Sequence, residues 1–192
     1  MRDFEYIKMQ KLHCRKSIRL KNYDYSSNGY YFVTICVQNR EKLFGEIVGA
    51  TLCGRPNNPD KIITKWLLEL ENKFNDIKID EYIIMPNHIH FIIKRTGDHT
   101  GSMGDHTGSP LRDIIGWFKT MTTNEYIAGV KSGKFIPFKG RLWQRNYYEH
   151  IIRNYDDYIN ISEYIQNNPL KWEYDKLFVS EGKYGSKKKE RG

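Results

Sequence analysis

The chain has 192 residues, of which 39% are hydrophobic and 14% aromatic, and it carries a formal net charge of +8. That length suits one domain with a sizeable core and is short for two. No apolar run approaches the ~20 residues of a membrane-spanning helix. The cationic excess points to an anionic partner, nucleic acid first among them, although a solvated basic surface would give the same balance.

Residues 1–28 are polar and basic, with Arg15, Lys16, Arg19 and Lys21 clustered, and read as an N-terminal arm. The stretch MRDFEYIKMQKLHCRKSIRL has no continuous apolar core of a signal peptide. Cys14, Cys36 and Cys53 form no C-x-x-C pair. An odd, scattered set of thiols suits a reducing compartment, so the expected location is the cytoplasm.

YYFVTICV (30–37) is rich in β-branched and aromatic residues and reads as a buried strand, with LFGEIV (43–48) as its expected hairpin partner. Asn57, Asn58 and Pro59 offer a start signal for a helix over 60–75. Its Ile62, Ile63, Trp66, Leu67, Leu70 and Phe74 recur at helical spacing. IKIDEYIIM (77–85) and HIHFIIK (88–94) are strands separated by Pro86-Asn87. The order strand, helix, strand, strand begins a split βαβ sheet of the ferredoxin-like kind.

GDHTGS occurs twice between residues 97 and 109, with Met103 between the copies. So short a repeat, rich in Gly, Ser and Thr, reads as a loop insertion, and no further ligand pattern accompanies His99 and His106. A second helix is expected over 111–126, with Arg112 and Lys119 on or near its solvent side. Residues 141–152 read as a strand and 154–169 as a helix. Asn154 serves as its cap, Asp156 and Asp157 lie in its first turn, and Pro169 ends it near Asn168. KYGSKKKERG closes the sequence as part of a basic tail over 173–192.

The chemistry gathers at MPNHIHFII (85–93). Alternate residues of a strand share a face, so His88 and His90 point one way while Ile89, Phe91 and Ile93 point the other. His-x-His alone is a weak signal, since paired histidines in a sheet are often only hydrogen-bonded. Tyr164 and Asn168 lie four apart on the last helix, one above the other, where an amide oxygen beside a phenol can complete a site facing two imidazoles. Taken alone, Tyr164 reads as a core aromatic. Glu149 and His150 read as structural, and Trp143 as core.

Four stretches, RLKNYDYSSNGYYFVTICVQNREKLFG (19–45), YIIMPNHIHFII (82–93), LWQRNYYEHIIRN (142–154) and YIQNNPLKW (164–172), together resemble the REP-associated tyrosine transposases. These belong to the single-tyrosine HUH transposases. The resemblance implies an α+β, ferredoxin-like split βαβ sandwich, an antiparallel sheet with helices on one face, over residues 29–172. It implies that Tyr164 is the nucleophile and that His88, His90 and Asn168 hold a divalent metal, Mg²⁺ or Mn²⁺. It also implies single-stranded or hairpin DNA as substrate, including repeated extragenic palindromes, acted on by a monomer or homodimer. Arg19, Arg112, Lys119, Lys139, Arg141 and Arg145 are candidate DNA contacts. The duplicated loop and the Lys-rich end depart from the family pattern.

Two rivals stand beside this reading. One is a sequence-specific DNA-binding protein that no longer cleaves. The other is a histidine-motif phosphohydrolase, which wants a further histidine at strand spacing where position 92 is isoleucine.

Overall fold

A computed structural model describes residues 27–48, 51–53, 59–96 and 110–179. Arg19 and nearly all of the N-terminal arm, the duplicated loop with His99 and His106, and residues 180–192 lie outside the described residues.

The elements in chain order are β1 (Gly29–Cys36), β2 (Glu46–Val48), β3 (Thr51–Cys53), α1 (Asp60–Lys73), β4 (Ile77–Met85), β5 (His88–Arg95), α2 (Leu111–Lys131), β6 (Tyr148–Ile152) and α3 (Tyr155–Asn167). Short 3₁₀ segments occupy Gln38–Arg40 and Pro169–Tyr174, the second kinked at Lys171. Four strands form one antiparallel sheet in the order β4-β5-β1-β6. With α1 and α2 as its crossovers this is the ferredoxin-like split βαβ sandwich. No helix among the described residues is long and apolar enough to cross a membrane.

Strand alternation decides which residues meet which helix. Tyr31, Val33 and Ile35 of β1 join Ile89, Phe91 and Ile93 of β5 on one face. Ile63, Leu67 and Leu70 of α1 and Ile114, Ile115 and Phe118 of α2 cover them. Each such side chain contributes about 1.5–3 kcal/mol on burial.

Only α1 and α2 share that face, whereas helices on one face were expected throughout. The third helix takes the opposite side, where Ile165 packs with Phe32, Ile92 and Ile152 in a second, smaller cluster. An apolar stripe on α3 needs an apolar surface, and the far side of β1, β5 and β6 offers one. That places α3 over the face that carries the histidines.

Three expectations about elements need correction. Residues 43–48 do not pair with β1, because β5 and β6 occupy both of its edges. Instead Glu46–Val48 pairs with Thr51–Cys53 as a separate two-stranded sheet. The strand expected over 141–152 is confined to Tyr148–Ile152, preceded by one isolated bridge between Val37 and Trp143. The second helix runs on to Lys131, with Gly129 in its last turns. A Cβ there would fall 2.0 Å from the Phe135 ring, so the glycine admits that ring.

The last helix begins as its cap predicts. Asn154 Oδ1 accepts from Asp157 N at 2.8 Å, and Asn168 closes the helix. A register shift in β4 between Ile79 and Tyr82 falls at Asp80 and Glu81. Both acids reach α3. Tyr158 donates its hydroxyl to Asp80 at 2.8 Å, and Ser162 and Gln166 donate to Glu81.

Candidate active site

The β1–β5 register sets Cys36 opposite His88 and Thr34 opposite His90. Both imidazoles are buried, at 0% and 2% exposure. Asn87, also buried, fixes the first ring. Its Nδ2 donates to the carbonyls of Arg40 at 3.2 Å and Leu177 at 2.9 Å, which leaves Oδ1 facing His88 Nδ1 at 2.7 Å. An amide oxygen only accepts, so His88 Nδ1 carries the proton and Nε2 a lone pair. His90 Nδ1 lies 2.8 Å from Thr34 Oγ1, and a proton donated there likewise leaves its Nε2 free.

The two Nε2 atoms face each other at 2.9 Å. That is a hydrogen-bond distance when His90 carries its proton on Nε2; with the proton on Nδ1, both lone pairs point to one spot that a cation can share. Burial holds both rings neutral. It drives His88 down to about 3, helped by the charge of Arg40. It also drives His90 well below its usual value, with His88 adding to the shift and Asp175 opposing it. Neutral imidazoles are the form that ligates metals.

Tyr164 approaches from α3. Its hydroxyl lies 3.3 Å from His90 Nε2 and donates to Asp175 Oδ2 at 3.1 Å. The ring is 45% exposed, so an external group can reach it. Burial of the hydroxyl, followed by the charge and hydrogen bond of Asp175, pushes its pKa up to about 12, with Asn168 opposing. Asn168 Nδ2 donates to the same Asp175 oxygen at 3.0 Å. Its Oδ1 is buried with no hydrogen-bond partner among the described residues.

Asp175 is the residue that the sequence did not single out. His88, His90 and Asp175 offer ligand atoms that all lie within 4.8 Å of one another. Two nitrogens, a carboxylate and an orphaned amide oxygen form a donor set that fits a divalent cation such as Mn²⁺, or Mg²⁺ with added waters. Asp175 belongs to the stretch read as a basic tail, yet residues 173–179 lie against the domain. Phe178 packs edge-on to Trp172 at 5.2 Å, and Leu177 N donates to Asp175 Oδ1. An isolated acid seven residues past Asn168 follows no period and gave no signal.

A cleft of about 740 Å³ opens beside His90 and Tyr164, lined by Phe32, Tyr147, Tyr148 and Tyr174 among others. Phe32 stacks on His90 with ring centroids 5.4 Å apart, and the half-exposed Tyr148 meets Phe32 edge-on.

The candidate DNA contacts are dispersed. Arg141, Arg145 and Lys139 are exposed, and the first two line a shallower groove of about 430 Å³ next to the cleft. Arg112 is exposed beside Asp113 on α2. Lys119 lines the same groove as Arg141 and Arg145. Its ammonium turns inward to the carbonyls of Gln144, Arg145 and Asn146 at 2.9, 3.4 and 3.3 Å, because the chain before β6 crosses its helix there.

Trp143 is core as expected, with Nε1 donating to Thr122 at 2.8 Å. His150 plays a structural part and binds Asp157 of α3 at 2.9 Å.

Fold and site together define a class, an α+β protein whose sheet presents a histidine pair to a tyrosine-bearing helix. The chain belongs to the IS200-like transposase family, whose sequence model matches residues 25–168. It is 37% identical to an uncharacterised Haemophilus influenzae protein over 180 residues, 88% of this chain and 95% of that one. It is 24% identical over 166 residues to a second protein of that organism, provisionally named a REP-associated tyrosine transposase, covering 81% of this chain and 79% of the relative. A REP-associated tyrosine transposase solved in complex with a REP hairpin has a similar fold. The TM-score is 0.52 at 20% identity, covering 82% of this chain and 76% of that one.

Proposed function

We propose that this transposase cleaves and rejoins single-stranded or hairpin DNA through Tyr164, with a divalent metal held by His88 and His90 and completed by Asp175, Asn168 or both. The observation that carries the reading is the tyrosine hydroxyl 3.3 Å from His90 Nε2, itself 2.9 Å from His88 Nε2. A DNA-binding protein without cleavage accounts for the basic charge but not for this convergence.

A phenol held near 12 is a weak nucleophile at neutral pH. When bound, the metal would polarise a phosphate oxygen and stabilise charge developing there. Asp175 accepts the hydroxyl proton in the resting hydrogen bond and is placed to take it as the phenol attacks. A bond forms between Tyr164 Oη and phosphorus, the bond from phosphorus to the 3′ oxygen breaks, and that oxygen leaves as a 3′-hydroxyl by taking a proton from solvent water. The product is a 5′-phosphotyrosine. Because the ester retains the bond energy, a later 3′-hydroxyl reverses the step without ATP.

The aromatic cleft suits unpaired bases, which stack on such rings without regard to sequence. Arg141 and Arg145 beside it suit the backbone. A hairpin stem is the favoured duplex portion, in keeping with the REP hairpin held by the structural relative.

Incubation of the protein with labelled hairpin DNA and Mn²⁺, followed by denaturing electrophoresis, tests the reading. A covalent adduct mapping to Tyr164 is expected. Failure to form one on any hairpin or single strand would overturn it.

A further inference from the structure

Among the described residues, the backbone has two non-glycine positions with positive φ, and they are adjacent. Asn39 and Arg40 both have φ of 58°. Asparagine tolerates the left-handed region, but arginine gains nothing from it. Such strain persists only where neighbouring structure over-determines it, and it concentrates at working sites.

The neighbours here are firm. Val37 N donates to Asn87 O and Gln38 N to Leu142 O, each at 2.8 Å, and Arg40 N donates to Val37 O at 3.0 Å. Asn87, the residue that orients His88, also donates its Nδ2 to the Arg40 carbonyl. The strained turn and the first histidine are therefore held by one side chain.

The Arg40 side chain lines the cleft that contains His90, Tyr164 and Asp175. Its Nη1 donates to Lys176 O at 3.3 Å, one residue beyond Asp175. A guanidinium has five N–H donors, and among the described residues that carbonyl is the one partner it has.

We propose that Arg40 is a catalytic residue, donating to a non-bridging oxygen of the phosphate attacked by Tyr164. This rests on the cleavage reading above and adds a second positive group to the site. Charge accumulates on those oxygens as the phenol attacks, and a fixed guanidinium at the cleft wall stabilises it more than the ground state. The left-handed turn is the means of holding it there. The rival role is a clip that joins the turn to residues 175–177 and touches no DNA.

Single-turnover cleavage of a labelled hairpin at saturating protein separates the two, using the full chain, Arg40→Gly and Arg40→Lys. Glycine removes the donor and relaxes the backbone strain, so Arg40→Gly should keep or raise the melting temperature. Its Mn²⁺ affinity should be no weaker, since a positive charge near His88 is removed, and its cleavage rate about 10²- to 10³-fold lower, the effect of losing one oxyanion donor. Lysine restores the charge but not the fork, and should recover only part of the loss. A methylphosphonate at the scissile position should slow the wild type more than Arg40→Gly, because the variant has already lost its guanidinium contact and has only the metal's left to lose. Wild-type cleavage by Arg40→Gly would overturn the inference. So would a loss matched by weaker Mn²⁺ binding or lower melting temperature, or equal sensitivity of both proteins to the methylphosphonate. Absence of any adduct from the wild type would instead overturn the cleavage reading, and Arg40's role with it.

Discussion

Tyr164 and Asp175 are joined by a hydrogen bond of 3.1 Å, and Asn168 donates to the same carboxylate oxygen at 3.0 Å. The carboxylate that receives the phenol thus belongs to the group of residues able to hold a cation with the two imidazoles. Asp175→Asn keeps the shape and removes the charge. It should weaken Mn²⁺ binding and lower cleavage by about 10²-fold or more, as expected for loss of a proton acceptor. Mn²⁺ titration followed by electron paramagnetic resonance, without DNA, reads the first effect. Unchanged affinity together with an unchanged rate would remove Asp175 from the site.

Tyr164→Phe separates the nucleophile from its surroundings. Phenylalanine keeps the ring that packs edge-on to Phe32 and removes only the attacking oxygen. Covalent attachment should vanish, while hairpin affinity and Mn²⁺ affinity change little. An adduct that persists, or that maps to Tyr147, Tyr148, Tyr155 or Tyr158, would show that another tyrosine does the chemistry.

Much of this arrangement was legible from periodicity. The alternation in 77–85 and 88–94 located both strands and turned His88 and His90 together, and the Tyr164–Asn168 spacing put phenol and amide on one helical face. Partnership between distant segments was not legible. Nothing local told 43–48 that both edges of β1 were taken, or told Lys119 that carbonyls of the segment before β6 would surround it. No local pattern marks Asp80 and Glu81 as partners of α3, because the register shift that aims them there is a feature of the pairing. Asp175 escaped for the same reason, since its role depends on a chain reversal after Trp172 and on no repeating pattern.

Asn87 makes a third prediction, about a residue that touches neither DNA nor cation. It holds His88 through Oδ1 and the Arg40 and Leu177 carbonyls through Nδ2. Outer partners of metal-binding histidines typically govern affinity by about 10- to 100-fold. Asn87→Ala should therefore weaken Mn²⁺ binding on that scale with both histidines intact, and should lower the melting temperature, because buried polar groups lose their partners. Full Mn²⁺ affinity in this variant would mean that His88 needs no orienting group.

The last prediction concerns which cations hold DNA. Arg141 and Arg145 are exposed along the groove beside the cleft, whereas Lys119 is turned onto three carbonyls. Each phosphate neutralised on a single strand contributes about −0.7 to the slope of log K against log[salt], and on a duplex stem about −0.9. Arg141→Ala and Arg145→Ala should each make the slope shallower by roughly that amount. They should weaken hairpin and scrambled strand alike, since phosphate contacts carry no base information. Burial lowers Lys119 to about 8, so it is still mostly charged at pH 7 and could act on DNA if geometry allowed. Its geometry favours the carbonyls. Lys119→Met should leave the salt slope unchanged and instead destabilise the fold by about 1–3 kcal/mol, as unpaired polar groups are left behind. Titrations at several salt concentrations, paired with chemical denaturation, distinguish the two kinds of residue. A shallower slope with Lys119→Met, or unchanged slopes with both arginine variants, would reverse the assignment.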